Sequence, residues 1–312
     1  MKSENIERTV QQGSLAAPKQ ALRKVLAETI KTGIIKSNLI VMFAGIALAL
    51  YIHNIAFSDK IGAIVLATLG SGLVIGAAGT FNNLYDRDID KIMDRTKNRP
   101  TATGRMQLKN ALILGIVMTL AGLGFLYAAS PLAAIFGFTG LFFYVVPYTM
   151  WSKRRTIYNT EIGSISGAVP PLIGWAAISN DFFHPAALGL FVIMVLWQMP
   201  HFYAIAIRRH DEYKAADIPM LPVIKGNRRT YIQTNVYLVL LTLSSFLFLP
   251  VSSFIVGVSF VLSAAWLAAS FICYRRMDSK KWATTMFIFS LNHMTILFTV
   301  VIGYSLIALF FN

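Results

Sequence analysis

Polar side chains that could hold a metal ion are concentrated in the segment NNLYDRDIDKIMDRTKNRP, residues 82–100. Asn82, Asp86 and Asp90 recur every four residues, so a helix would place them on one face, about 6 Å apart along its axis. Carboxylates at that spacing suit Mg²⁺, which binds one or two carboxylates together with substrate phosphates. Basic residues such as Arg99 surround the row. The segment therefore predicts a site for a metal ion and a diphosphate.

Other basic residues are candidates for the same diphosphate, because Arg offers phosphate two donors and Lys offers a point charge. These candidates are Arg95, Lys153 and Lys225. The alternative is that each of them only helps to set the membrane topology, and that the acidic row is a solvated connection between helices.

A second charged segment, IAIRRHDEYKAADIPMLPVIKGNRR, also runs from acidic through proline-containing to basic sequence. Asp211 and Asp217 are candidate ligands of a second metal ion. They are six residues apart, which one straight helix would place on different faces. A purely structural loop is the alternative.

The composition indicates the element that positions these residues. Hydrophobic residues make up 56% of the 312 positions and charged residues only 13%, as in a polytopic membrane protein. Apolar stretches of about 17–25 residues predict an all-α fold with nine transmembrane helices. The predicted spans are 34–56, 61–83, 109–129, 132–151, 160–179, 186–207, 230–250, 252–274 and 283–311.

The basic residues predict the orientation of these spans. Of the 28 Lys and Arg residues, all but Lys60 lie in the N-terminal segment or on alternate connections. The positive-inside rule then places the N-terminus in the cytoplasm and the C-terminus outside a cell membrane. Residues 1–33 form a cytoplasmic segment, in which 20–32 is expected to lie amphipathically on the bilayer. The net charge of +14 is thus explained by topology and anionic lipid, without nucleic-acid binding.

Polar residues inside the predicted spans need partners, because unsatisfied polar groups are costly in hydrocarbon. They include Gln198, His201, Asn292 and His293. The two histidines are candidates for metal or heme ligation. Hydrogen bonding between helices is the alternative. The single cysteine, Cys273, excludes an internal disulfide and a cysteine-based metal cluster.

Four blocks of the sequence resemble a known family. The segment NNLYDRDIDKIMDRTKNRP is similar to the signature of the UbiA-type intramembrane prenyltransferases, and its MDRT..RP ending resembles the subgroup that farnesylates heme. Three further segments match the family in its order and spacing. They are YTMWSKRRTIYNTEIGSISGAVPPLIGWAA (148–177), WQMPHFYAIAI (197–207) and DEYKAADIPMLPVIKG (211–226).

The resemblance implies a UbiA-type domain over 34–312, with nine helices around a central cavity open to the cytoplasm. It implies that Asn82, Asp86 and Asp90 are catalytic and hold Mg²⁺ with the diphosphate of farnesyl diphosphate. The family's second aspartate motif is D-x-x-x-D, a spacing that Asp211, Glu212 and Asp217 do not keep. The segment TIKTGIIKSNLI resembles a family segment that makes Lys31 and Asn38 diphosphate contacts, although Thr32 stands where proline is usual.

The reaction implied is transfer of the farnesyl group to a vinyl group of heme b, with addition of water, giving heme O and diphosphate. Heme b is then a substrate and Mg²⁺ the cofactor. His201 is the candidate ligand of the heme iron. The candidate partners of the heme propionates are Arg208, Arg209, Arg154 and Arg155. A downstream heme-modifying enzyme or a terminal oxidase is a candidate protein partner.

Three other functions compete with this interpretation. A related prenyltransferase would use an aromatic acid or a chlorophyll-like acceptor. In a secondary transporter, the offset of four spans between the two charged loops would reflect an internal repeat. The ionisable residues of a transporter, however, would lie near mid-membrane rather than at cytoplasmic helix ends. A structural assembly subunit of a respiratory oxidase would not explain the aspartate row.

Overall fold

The computed structural model describes residues 18–311, with side chains from residue 22 onward. Within these residues the regular secondary structure is helical, and we number the helices α1 to α14 in chain order. Eight segments are long and apolar enough to cross a membrane. They are α2 (Thr32–Ile52), α3 (Phe57–Tyr85), α6 (Leu108–Ala129), α7 with its continuation (Pro131–Arg154), α10 (Pro185–Arg208), α12 with its extension (Leu221–Phe248), α13 (Ser253–Tyr274) and α14 (Ser279–Phe311). The chain is a multi-pass membrane protein, as predicted.

Six shorter helices connect or interrupt these segments. They are α1 (Pro18–Thr29), α4 (Arg87–Asp90), α5 (Pro100–Thr103), α8 (Asn159–Gly167), α9 (Pro170–Ala176) and α11 (His210–Ala215). Helix α1 overlaps most of the predicted amphipathic segment, 20–32, and begins two residues before it. Val25 is buried against Met106 and Ala111, whereas Leu22 and Leu26 are exposed. Positions 1–17 of the predicted cytoplasmic segment and Asn312 lie outside the described residues.

The fifth predicted span, 160–179, is divided into α8 and α9. Its break coincides with Pro170 and Pro171, which have no backbone N–H to continue the helical hydrogen bonds. The last regular bond before the break runs from the N–H of Ala168 to the carbonyl of Ser164, at 3.0 Å. The count of nine uninterrupted helices is therefore not confirmed, since this segment is two short helices in succession.

The C-terminal end of the fourth predicted span departs from α-helical geometry. Helix α7 proper is Pro131–Phe143, and it continues as a π-helix over Tyr144–Trp151 and a 3₁₀ turn over Ser152–Arg154. Pro147 lies inside the π-helical part, where it removes one backbone donor. Wide turns of this kind occur frequently at functional sites.

Glycines bring two pairs of helices into backbone contact. A Cβ atom on Gly45 of α2 would lie 2.0 Å from the carbonyl oxygen of Pro171 in α9, and one on Gly174 of α9 would lie 2.1 Å from that of Met42. Helices α3 and α6 approach each other similarly at Gly70 and Gly122. Small residues at helix crossings permit such close packing in membranes.

Two loops meet on the side where α3 and α10 end. We call residues 86–107 the first inner loop and residues 209–220 the second inner loop. Ile89 and Met93 of the first pack with Ala216, Ile218 and Met220 of the second in one buried apolar cluster. This contact fixes the two charged segments beside each other.

Candidate active site

The acidic row of the first inner loop is buried. Asn82, Asp86 and Asp90 expose 3%, 0% and 2% of their surface. Helix α3 ends at Tyr85, and Asp86 is both the C-cap residue of α3 and the N-cap residue of α4. The backbone N–H of Asp90 still donates to the carbonyl of Asp86 at 2.8 Å, so the spacing of four is preserved. Asp94, the next member by sequence, is exposed and pairs with Lys97 at 2.6 Å.

Five side chains from four segments form what we call the Asp86 cluster: Lys31, Asn82, Asp86, Thr149 and Lys153. Asn82 Nδ2 donates to Asp86 Oδ2 at 2.7 Å and lies 3.1 Å from Thr149 Oγ1. Lys31 Nζ donates to Asn82 Oδ1 at 2.5 Å, and Lys153 Nζ forms an ion pair with Asp86 Oδ2. The π-helical turn carries Thr149 and leads directly to Lys153, which explains how this segment reaches the acidic row.

Two arginines complete the charge pattern. Arg99 Nη1 contacts both carboxylate oxygens of Asp90 at 2.9 Å. Arg154 binds both oxygens of Asp88 at 2.7 Å, and these hydrogen bonds lower the pKa of Asp88 to about 2. Each buried acid therefore has a basic residue beside it, in the mixture of charges expected of a site for a metal and an anion.

The site also lowers the basicity of one of its lysines. Lys31 lies between α1 and α2 with a left-handed backbone conformation, φ 57°. Burial lowers the pKa of Lys31 well below its ordinary value, and the positive charges of Arg99 and Lys153 lower it further. Lys153 is paired with Asp86 and Arg99 with Asp90, and all four charges act on the ammonium group of Lys31. The two ion pairs and Lys31 therefore form one electrostatic unit.

Several predicted residues lie apart from this unit. Asp211 is exposed and pairs with its neighbour His210 at 3.1 Å, and Asp217 is exposed at a position with φ 52°. Lys225 and Arg95 are exposed as well, and the side chain of Asn38 donates to the carbonyl of Ile34 in its own helix. The second inner loop is thus adjacent to the first, but its aspartates do not contact the Asp86 cluster.

Asp86 retains an oxygen that could bind a metal ion. Its Oδ1 atom is buried and receives no hydrogen bond from the described residues, and Arg154 Nη2 lies 3.6 Å from it. Within residues 22–311, no group of three or more His, Cys, Asp or Glu side chains forms a metal site. Two carboxylates with substrate phosphates and water satisfy Mg²⁺, so Asp86 and Asp90 fit that ion.

The candidate heme ligand, His201, lies on α10 and is not part of the Asp86 cluster. His201 Nδ1 is 2.7 Å from Ser290 Oγ of α14. Its ring stacks on Trp197 with 4.7 Å between centroids and on Phe287 with 5.2 Å. The other candidate, His293, is buried and bonds Ser263 through Nε2.

One acidic residue of the membrane region was not selected from the sequence. Glu161 of α8 accepts hydrogen bonds through Oε1 from Tyr203 at 2.5 Å and Gln233 at 2.9 Å, and its Oε2 atom is buried with no partner in the part of the chain that the structure describes. A single carboxylate inside an apolar segment is itself a signal of a functional position. That signal was available in the sequence.

Comparisons with known proteins identify the fold and the class. The sequence model of the UbiA prenyltransferase family matches residues 38–292. A UbiA homolog from Archaeoglobus fulgidus, solved bound to DMAPP and Mg²⁺, has a TM-score of 0.65 at 16% identity, over 89% of this chain and 99% of its own. The chain belongs to the UbiA prenyltransferase family, as its motifs predicted.

The similarity to individual family members is high. The chain is 67% identical to the protoheme IX farnesyltransferase of Shouchella clausii, over 99% of both chains. It is 66% identical to protoheme IX farnesyltransferase 1 of Bacillus cytotoxicus, over 93% of this chain and 95% of the relative.

Proposed function

We propose that this prenyltransferase transfers the farnesyl group of farnesyl diphosphate to a vinyl group of heme b, with addition of water, giving heme O and diphosphate. The observation that carries the proposal is the buried Asp86 cluster, in a chain whose close relatives carry this activity in their names. The family prediction from four sequence blocks agrees with it. We further propose that the site opens to the cytoplasm in the cell membrane, since the basic residues predict that orientation.

In this proposal the basic residues receive the diphosphate. Lys31, Lys153 and Arg99 already surround the carboxylates, so they can contact phosphate oxygens without a large rearrangement. Fixed positive charge stabilises the negative charge that develops on the departing diphosphate. Asp86 and Asp90 would hold Mg²⁺, which supplies further positive charge to the same oxygens when bound.

The remaining steps follow from the chemistry of the substrates. Ionisation breaks the allylic C–O bond and releases diphosphate. The allylic carbon then forms a bond with the vinyl group, and water adds to the resulting cation beside the macrocycle with loss of a proton. Exclusion of water from the helical bundle would protect the first cation until the vinyl group has reacted.

The test is conversion by purified protein in a lipid bilayer. With heme b, farnesyl diphosphate and Mg²⁺, we expect a more hydrophobic heme whose mass equals that of heme b plus farnesyl and hydroxyl. EDTA should stop its formation and added Mg²⁺ should restore it. Absence of this product from folded protein would refute the proposed acceptor, and a rate indifferent to EDTA would refute the metal.

Binding of farnesyl diphosphate should be accompanied by uptake of a proton by Lys31. The diphosphate would offset the positive charges of Arg99 and Lys153, which lower the pKa of Lys31 in the free protein. The pKa of Lys31 then rises on binding, so affinity should be greatest below the lowered pKa and fall as the pH rises through it. Calorimetric titration in buffers of different ionisation enthalpy measures the proton uptake.

The matched variants for this measurement are Lys31→Gln and Lys24→Gln. Lys24 is exposed on α1, so its removal should leave the proton uptake unchanged. The Lys31→Gln protein should bind without it. Proton release by the wild-type protein, or uptake that persists in Lys31→Gln, would contradict this role.

A further inference from the structure

We propose that heme b binds along the α10–α14 surface, with its iron on His201 Nε2 and a propionate on Arg208. This inference rests on the proposed function and specifies how its acceptor is held. It is carried by a column of side chains that we call the α10 stack: Trp197, His201, Phe287 and Arg208.

The hydrogen bonds around Ser290 determine the tautomer of His201. Ser290 Oγ donates its only hydrogen to the carbonyl of Phe287, at 2.5 Å. The 2.7 Å contact between His201 Nδ1 and Ser290 Oγ must therefore be donated by the histidine. A neutral imidazole with its proton on Nδ1 carries a lone pair on Nε2. This is the form in which histidine binds a metal while its other nitrogen is held by a hydrogen bond.

The Nε2 atom is free to bind. Within residues 22–311 no group forms a hydrogen bond with it, and it is absent from the buried atoms that have no partner. His201 itself is only partly buried. By contrast, the buried Nδ1 atom of His293 has no partner among the described residues and is sealed from ligands.

The stack fixes the direction in which Nε2 points. The rings of Trp197 and His201 are stacked, with their centroids 4.7 Å apart and their planes inclined by 18°. Because residues four apart are displaced along a helix axis, we infer that both planes lie across the axis of α10. The indole of Trp197 also donates to the carbonyl of Ser290 at 2.9 Å, which fixes it to α14. An iron in the imidazole plane would place the macrocycle, which is perpendicular to the iron–nitrogen bond, along the helix.

Arg208 lies where the edge of such a macrocycle would end. It follows His201 by seven residues, about 10.5 Å along a helix on nearly the same face. The Phe287 ring fits between them, with the Arg208 guanidinium carbon 4.7 Å from its centroid. This separation is comparable with the distance from a heme iron to its propionate carboxylates.

Ion pairs and exposure distinguish Arg208 from the other three candidate arginines. Arg155 forms no ion pair among the described residues, but it is exposed. Arg209 binds Glu212 at 2.6 Å and Arg154 binds Asp88 at 2.7 Å. Arg208 is partly buried and makes no ion pair with any acid in the part of the chain that the structure describes. Its guanidinium is therefore available for a carboxylate, which arginine can bind through two parallel hydrogen bonds.

The experiment is a spectroscopic titration of the full protein in nanodiscs with ferric heme b, without farnesyl diphosphate. We expect a Soret band of histidine-ligated heme in the wild type and its loss in His201→Ala, with recovery when imidazole is added. The control His210→Ala removes a partly exposed histidine that pairs with Asp211 and should leave the band unchanged. Imidazole also ligates heme dissolved in lipid, so recovery above the signal of empty nanodiscs is what shows that the His201→Ala protein remains folded.

The propionate contact is tested by the affinity for heme. Arg208→Gln should weaken binding by about 10-fold to 100-fold, as expected for a charge-assisted hydrogen bond, while the Arg209→Gln control should bind as the wild type does. Heme b dimethyl ester, which has no propionate charge, should bind the wild type and Arg208→Gln equally. Equal loss in both arginine variants, or a loss that persists with the ester, would overturn the contact.

Failure of this inference is distinguishable from failure of the proposed function. If the wild type farnesylates heme but His201→Ala keeps the same Soret band, the ligand assignment is refuted and the proposed reaction stands. If the wild-type protein neither binds nor farnesylates heme, the proposed acceptor is wrong and the heme site falls with it.

Discussion

Replacing Asp86 with asparagine should lower the rate of farnesyl transfer by about 100-fold or more, the loss typical of removing one preorganised electrostatic group from an active site. Asn keeps the size of the side chain, but it removes the negative charge that pairs with Lys153 and replaces one carboxylate oxygen, a potential metal ligand, with an NH2 group that can only donate. The Lys153 ammonium would then lack its anion in the free protein. Quantifying farnesylated heme by chromatography measures the effect.

Asp94→Asn is the matched control for this prediction. Asp94 continues the same sequence row at a spacing of four, but its side chain is 76% exposed and pairs only with Lys97 among the described residues. Its replacement should change the rate less than about twofold, as is usual for surface substitutions. Equal losses in the two variants, or full activity in a folded Asp86→Asn protein, would show that burial does not select the functional aspartate.

Replacing Gly45 with alanine should destabilise the fold by about 1–3 kcal/mol, the usual cost of overpacking. The added Cβ would lie 2.0 Å from the carbonyl oxygen of Pro171, so α2 and α9 would have to separate. Gly174→Ala meets the carbonyl oxygen of Met42 in the same interface and should act similarly. The midpoint of thermal unfolding in detergent and the yield of monodisperse protein measure the change.

Two other glycines provide the control for helix propensity. Gly257 and Gly303 lie in α13 and α14, and a Cβ atom on either would meet no atom within 4 Å. Alanine at these positions should leave stability unchanged or raise it, because alanine is the better helix former by about 1 kcal/mol. If Gly45→Ala behaves like these controls, the close contact between α2 and α9 is not required for the fold.

The sequence predicted the features that depend on local pattern. Apolar length located the membrane segments, because spanning the bilayer requires a fixed run of apolar residues. The spacing of Asn82, Asp86 and Asp90 predicted their common face, because the helical hydrogen bonding continues through Asp86 to Asp90. Glycines in α3 are also readable from the sequence as small residues that permit close helix packing, and the structure shows this packing at Gly70.

Features that depend on contacts between distant segments were not accessible in this way. Asp94 follows Asp90 at the same spacing of four, but only the packing of the two inner loops shows that Asp86 is buried and Asp94 is not. The aspartates of the second inner loop looked like a second metal site by composition, yet their side chains are exposed. The partnership of Thr149 with Asn82 depends on the π-helical turn, which no spacing rule predicts.

The central claim is that Asp86 and Asp90 hold a divalent cation against a prenyl diphosphate. Crystals grown with Mn²⁺ and the unreactive analogue farnesyl thiodiphosphate would test it directly, because Mn²⁺ is identified by its anomalous scattering. We predict an anomalous peak coordinated by Asp86 and bridged to the diphosphate, with Lys153 and Arg99 turned toward the phosphate oxygens. A diphosphate and metal bound instead at Asp211 or Asp217, with the Asp86 cluster unchanged, would contradict the account.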